Sequence, residues 1–466
     1  MPLLSRLLGK SLLQRDAAGR YHLHELVRQY AAEQLQAAGE MEQVRERHLQ
    51  YFLALAEAAD AGLITNESRS WVERLEHDHD NLRAAFAASH VVAGGCELRL
   101  RFTAALWRFW FMRGLLHEGQ ACVDEVLAES HGVSPAWAKT LYGAALLMCR
   151  LGDVQRMAAL AEAAFAACRQ LGDHRGMAYA LTCLGWAAIE QADDHQAAAR
   201  FEQSLGLFRA VQDCWGIGYV LNRLGWVLCE RGEYGRAIGL FEESLALFRQ
   251  MGELGGMSDA LGCMASAMVA QGDYARATTL TEESLELKRA NGDKYASAHA
   301  VCDLGYLAAL CGDSTVARAR YDESLRLSRE LGYKRHTAWI LTRSGHFALD
   351  ERDAQRATGF FVEAMALNRE LEDLVGIRRC LVGLAEVAVA QRRPESAARL
   401  LGATEVLSEA RQLRMDRHDR AEYDRVVAAA RSQLDEATFA SVWAAGRAMA
   451  LEQAIAYVVE DPITAS

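Results

Sequence analysis

The stretch 221–253, LNRLGWVLCERGEYGRAIGLFEESLALFRQMGE, decides the fold, because the chain matches itself when shifted by 40 residues. Small residues recur at Ala145, Gly185, Gly225, Ala265, Gly305, Gly345 and Ala385. Seven positions on stand Gly152, Ala192, Gly232, Gly272, Gly312, Arg352 and Arg392, the first five each followed by Asp or Glu. Five beyond those lie Met157, Ala197, Ala237, Ala277, Ala317, Ala357 and Ala397, and four later come Phe201, Phe241, Tyr321, Phe361 and Leu401. This is the mark of a stacked repeat, and the landmarks describe a helical hairpin. Glycine accepts the left-handed conformation that ends a helix, and the acid after it suits the N-terminus of the next. The small residue and the alanine let the two helices approach, and the aromatic fills the space between units.

Composition agrees with a nearly all-helical chain. Of 466 residues only four are proline, and none falls between Pro135 and Pro394. Apolar residues make up 51% of the chain, enough for a core, yet no apolar run reaches the ~20 residues of a membrane span. The N-terminus lacks the apolar core and small-residue cleavage site of a signal peptide. The eleven cysteines are scattered without a C-x-x-C pair, as in a reducing compartment, so a cytoplasmic protein is expected. A net charge of −11 opposes broad nucleic-acid binding. No G-x-S-x-G, H-E-x-x-H or C-x-x-C constellation is present, so no enzyme is expected.

The spacing small–Gly-Asp–Ala–aromatic resembles the tetratricopeptide repeat (TPR), whose unit of about 34 residues is here lengthened to 40. The family's terminal proline is replaced by the turns LGD, VQD, MGE and NGD. A two-helix HEAT repeat is the alternative of similar length. The resemblance implies an all-α solenoid whose first helices line a concave wall. Positions carried over from the family place Tyr179, Tyr219, Asp259, His299, Trp339 and Arg379 in one groove-facing row. A second row holds Trp186, Trp226, Ser266, Tyr306, His346 and Glu386, with Asn222, Glu190 and Glu230 between them. Aromatic side chains are common anchors of binding surfaces, although Trp186 and Trp226 could equally pack between adjacent first helices.

The flanks are less regular. Residues 71–90, WVERLEHDHDNLRAAFAASH, are expected to form one amphipathic helix with Trp71, Leu75, Leu82 and Phe86 on a shared face. His77 and His79 are only two apart and diverge on a helix, so no metal site is expected. Residues 101–128 read as a degenerate first hairpin turning at Gly114. In the tail, Arg411, Arg414, Arg417 and Arg420 recur every third residue but are interrupted by Asp416 and Asp419, which suits a solvated face. Trp443 and the run AIAYVV at 454–459 are expected to cap the array. Near the start, Gly9-Lys10-Ser11 imitates the end of a phosphate-binding loop, but Leu4 stands where its first glycine is required, and no strand precedes it.

Several stretches together resemble the C-terminal part of bacterial STAND regulators, ATPases related to NB-ARC proteins that often carry LuxR-type or AfsR-type DNA-binding domains. They are 7–35 (LLGKSLLQRDAAGRYHLHELVRQYAAEQL), 47–63 (RHLQYFLALAEAADAGL), 71–86, 105–119 (ALWRFWFMRGLLHEG) and the tail from 395 to 458. The resemblance implies four segments: a winged-helix remnant at 1–38, a helical linker at 39–130, a TPR-like array at 131–410, and capping helices at 411–466. It also aligns Leu23-His24-Glu25 with the family's Met-His-Asp motif, whose histidine contacts the β-phosphate of ADP, making His24 a candidate nucleotide sensor. The chain is then expected to begin inside a winged helix. The function implied is a sensor scaffold binding a protein or small-molecule effector in its groove, with no cofactor of its own. ADP or ATP would enter only through an ATPase domain supplied elsewhere.

Overall fold

A computed structural model of the chain describes residues 2–15, 21–65, 67–92, 94–130, 132–191, 193–411, 415 and 417–460. Residues 16–20, Ala192, Arg414 and Asp416 lie outside the described residues, as do the side chains of Arg411 and Arg417.

The chain opens with α1 (Pro2–Gly9), an antiparallel hairpin of β1 (Leu13–Arg15) and β2 (Tyr21–Leu23), and α2 (Glu25–Ala37). The hairpin pairs Leu13 with Leu23 and Arg15 with Tyr21. Then follow α3 (Met41–Gly62), α4 (Ser68–His77), α5 (His79–Ala88), a short 3-10 turn, α6 (Gly95–Arg113) and α7 (Leu116–Glu129). The single helix expected over 71–90 is divided at Asp78, whose φ of −102° and ψ of 11° leave the helical region. Asp78 accepts a hydrogen bond from the Asn81 side chain at 3.0 Å, so it starts a new helix rather than continuing the old one. The break lets Leu75 and Leu82 both reach the core beside α3. The expected turn at Gly114 is present, with φ of +68°.

Seven hairpins follow, described here as first and second helices. They are α8 (Pro135–Leu151) and α9 (Val154–Leu171), α10 (His174–Glu190) and α11 (Asp194–Ala210), α12 (Cys214–Glu230) and α13 (Tyr234–Met251), and α14 (Leu254–Gln271) and α15 (Tyr274–Ala290). Next come α16 (Lys294–Leu310) and α17 (Ser314–Glu330), α18 (Lys334–Asp350) and α19 (Ala354–Glu370), and α20 (Leu374–Ala390) and α21 (Pro394–Arg411). Three closing helices are α22 (Arg417–Arg431), α23 (Glu436–Arg447) and α24 (Leu451–Glu460).

Turn chemistry recurs every 20 residues, at both ends of each hairpin. Gly152, Gly172, Gly232, Gly252, Gly272, Gly292, Gly312 and Gly332 are left-handed, and Gln212, Arg352, Glu372 and Arg392 hold the same conformation without being glycine. The next residue is usually an acid that caps the following helix: Asp153, Asp173, Asp213, Asp273 and Asp313 each accept a backbone N–H. The small residue of the first helix receives the aromatic of the second. A Cβ on Gly185, Gly225 or Gly345 would stand 2.6, 2.4 or 2.7 Å from the ring of Phe201, Phe241 or Phe361. The aromatic thus packs inside its own hairpin; Phe361 also reaches Gly383 of the next.

Successive first helices touch one another, α8 with α10, α10 with α12 and α16 with α18, so they form the inner wall of a TPR-like helical solenoid. No helix among the described residues is long and apolar enough to cross a membrane.

Candidate ligand groove

The inner wall is occupied differently in its two halves. In the N-terminal half, α6 lies against the first helices. Trp107 meets Tyr142, Tyr179 and Trp215 edge-on at centroid distances of 5.8, 5.5 and 6.4 Å. The Arg108 guanidinium lies over Trp107 and Trp215 at 4.4 and 4.7 Å, and Phe111 contacts Trp215 and Tyr219, both at 5.8 Å. Arg113 pairs with Glu76 and reaches across to Asn291 Oδ1 at 3.2 Å, closing the mouth of this half.

Three residues expected to face an open groove are therefore interior. Tyr179 is fully buried, and its hydroxyl donates to Asp213 Oδ2 at 2.8 Å. Tyr219 and Asn222 are also buried. The placement differs from the expectation because the family positions define which face points inward, not what else the chain puts there. Trp186 and Trp226 are half-buried, with ring centroids 6.0 Å apart across adjacent first helices. The Arg223 guanidinium covers Trp186 at 5.4 Å and Tyr219 at 5.0 Å.

In the C-terminal half the wall is open, around a cavity of about 470 Å³. Tyr306, Trp339, His346, Arg379 and Glu386 all line it. His299 sits beside it, stacked on Trp339 at 4.5 Å and 13°. His336 and Tyr295 extend this ladder, His336 lying 5.6 Å from both His299 and Trp339. Six of the eleven expected groove residues are thus brought together here.

Several residues in the cavity wall were not anticipated. Arg343 lies over Tyr306 at 4.4 Å and Trp339 at 5.1 Å, and pairs with Asp303 at 3.8 Å. It occupies the place that Arg223 holds three repeats earlier, a correspondence visible in the period. The far wall is α22, which presents Asp419, Glu422 and Arg425. Asp419 pairs with buried Arg378 and with Arg379 Nε at 3.0 Å, and Arg425 pairs with Glu386 Oε1 at 2.6 Å. His346 has Glu386 Oε2 3.4 Å from Nδ1 and Glu422 Oε1 3.2 Å from Nε2. The spacing 419–422–425 places these residues on one helical face, but nothing in the sequence says that this face turns back onto the repeats.

The electrostatics follow burial and neighbours. Burial favours a protonated Asp303, but His299 and Arg343 outweigh it and hold the carboxyl below its ordinary range. Glu386 is likewise lowered, because His346 and Arg425 overcome its desolvation. Asp350 goes the other way, raised by burial and by Glu386. Burial, with His299 nearby, pushes His336 down to about 4.

The N-terminal candidate stands apart from the groove. His24 is the exposed residue preceding α2, and its side chain makes no capping hydrogen bond. Glu25 pairs with Arg28 at 2.7 Å. Gly9-Lys10-Ser11 lies at the C-terminal end of α1, where carbonyls rather than N–H groups project.

No known protein-family profile matches the chain. Proteins of Mycobacterium bovis and Mycobacterium tuberculosis carrying the provisional description "HTH-type transcriptional regulator" are 33% identical over 216 residues, covering 44% of this chain and 24% of theirs. The chain therefore spans about a quarter of the length of the curated relatives it matches. Among solved structures, a Rap protein complexed with competence and sporulation factor aligns with a TM-score of 0.50 at 14% identity, covering 84% of this chain and 99% of that one. The apo quorum sensor NprR of B. thuringiensis gives a TM-score of 0.49 at 15% identity, covering 83% and 99%. The chain has a TPR-like helical repeat fold, with partial sequence similarity to these mycobacterial proteins.

Proposed function

We propose that this chain is a non-catalytic sensor scaffold that binds a protein, peptide or small-molecule effector in the C-terminal half of its groove, as part of signal-dependent regulation of transcription in the cytoplasm. The observation carrying this is the contrast between the two halves. α6 fills the first, whereas the second keeps a cavity of about 470 Å³ between aromatic rings and charged side chains. Such a mixture of flat apolar surface and a few placed charges is the usual composition of a ligand site. The effector would lie against Trp339 and Tyr306, with Arg379 and Glu386 setting its orientation, and α22 as the opposite wall. The similarity to described transcription regulators supports the regulatory setting, and the Rap protein of like fold was solved with competence and sporulation factor bound. The test is capture of partners from the native lysate, followed by calorimetric titration of each. Trp339→Ala with Tyr306→Ala should weaken binding at least about tenfold, since rings of this kind contribute 1–3 kcal/mol as anchors. Trp186→Ala with Trp226→Ala should weaken it far less; the reverse order would overturn the assignment.

A second reading is supported by the helix–hairpin–helix at the N-terminus, the order expected for a winged-helix remnant, with His24 exposed before α2. In it the chain supplies the sensor and part of the nucleotide switch of a STAND-type regulator, the ATPase being encoded elsewhere. ADP titration discriminates: saturable binding by the chain alone, abolished in His24→Ala, would favour this second role.

A further inference from the structure

Three side chains from three helices converge at the end of the cavity, and the groove reading makes no use of their convergence. His346 on α18, Glu386 on α20 and Glu422 on α22 each place one donor atom within 4.8 Å of the others. Glu386 Oε2 and Glu422 Oε1 are buried from solvent, and their approaches to the His346 nitrogens, at 3.4 and 3.2 Å, fall outside hydrogen-bond geometry. Even with both nitrogens protonated, one imidazole brings a single positive charge to the two carboxylates facing it. Asp350 adds a further carboxylate to the same neighbourhood, where Arg425 pairs with Glu386 while Arg343 and Arg379 pair with Asp303 and Asp419. That guanidinium takes Glu386 by Oε1, leaving Oε2 turned toward His346, the manner in which an outer group orients a metal-ligating carboxylate.

We propose that His346, Glu386 and Glu422 bind one divalent transition-metal ion. An imidazole nitrogen with two carboxylate oxygens is a donor set for zinc, cobalt or manganese rather than for calcium, which takes six or more oxygens. The ion neutralises the surplus negative charge and satisfies both buried oxygens. It fastens α22 to the inner wall, and a set of three protein ligands leaves a coordination position open toward the cavity. The site shares Glu386 and the cavity with the proposed effector, but its test needs no effector. It also departs from the sequence-based expectation of no metal, which considered only His77 and His79.

Cobalt titration of the chelator-treated full chain tests this. One equivalent should produce visible d–d absorption without a thiolate charge-transfer band in the near ultraviolet, and should raise the thermal midpoint. Glu422→Gln and Glu386→Gln, which keep side-chain size, should each weaken cobalt binding at least about tenfold, with the helical circular-dichroism signal retained. Cys311→Ser, which removes an exposed thiol, should change nothing. No saturable absorption, a thiolate band, or unchanged affinity in both glutamine variants would overturn the proposal. Because the readout is spectroscopic, it fails or succeeds separately from effector capture.

Discussion

At the scale of single residues, the repeat is held by buried polar groups doing more than one task. Asp213 is fully buried, caps α12 through Gly216 N at 2.9 Å, accepts the Tyr179 hydroxyl, and pairs with Arg175 Nε at 3.3 Å. Asp213→Ala should cost about 2–4 kcal/mol by urea unfolding, since it removes a cap and orphans a buried hydroxyl. Asp153→Ala, at an exposed cap, should cost about 1 kcal/mol. Two titrating groups give opposite pH dependence. Burial raises Glu253 to about 7 even though Gly256 and Gly255 donate to it. A folded state that holds its proton longer than the unfolded chain loses stability as pH rises, here from the ordinary carboxylate range through about 7. Glu253→Gln should remove on the order of 3 kcal/mol of pH-dependent stability across that range. His336, depressed to about 4, binds its proton more readily when unfolded, so stability is lost as pH falls from the ordinary histidine range toward 4. Unfolding midpoints of the His336→Gln variant should be flatter across that acid window.

At the scale of the helical element, two ladders recur at the 40-residue period without having been recognised in it. Ser204, Ser244, Ser284 and Ser324 are buried on second helices, and each donates to a carbonyl of its own hairpin's first helix: Ala178, Gly218, Ser258 and Ala298, at 2.7–2.9 Å. Ser244→Ala should cost about 1 kcal/mol, because the carbonyl keeps its helical partner. On the outer surface, Arg209, Arg249, Arg289 and Arg329 pair with Glu243, Glu283, Glu323 and Glu363 of the next hairpin. These pairs are exposed, and a double-mutant cycle on Arg249 and Glu283 should give no more than about 0.5 kcal/mol. Close helix approach matters more. Gly225→Ala would drive a Cβ to 2.4 Å from Phe241 and should cost about 1–3 kcal/mol. At Gly305 the nearest atom would be 3.3 Å away, and alanine there should cost less.

At the scale of the molecule, α6 converts an open solenoid into one filled at its N-terminal end and open at the other. Its Trp107, Phe109 and Trp110 are buried, and its C-terminus contacts residues some 180 positions later through Arg113 and Asn291. A Phe111→Ala, Arg113→Ala variant should loosen that closure and enlarge the radius of gyration in X-ray scattering while leaving helical content unchanged. An unchanged radius would show that the repeat stacking alone sets the curvature. At the opposite end, α22 is anchored by buried Tyr423 and Val426 as well as by its ion pairs, so it is a fixed wall of the cavity.

The repeat unit and its turns were legible in the chain because they depend on local spacing. A left-handed turn, an acidic cap and a glycine opposite an aromatic each leave their residue type at a fixed interval. The resemblance to the tetratricopeptide repeat pointed to the inward rows, and Trp339, Tyr306, His346, Arg379 and Glu386 of those rows line one cavity. What it could not contain was occupancy. Tyr179 and Tyr306 are both read as groove residues, yet one lies beneath Arg108 and the other lines a cavity. That difference depends on where α6 and α22 return to the array, contacts between residues far apart in sequence that no period encodes. Local periodicity determined the solenoid; only tertiary packing decided which half of it keeps an open cavity.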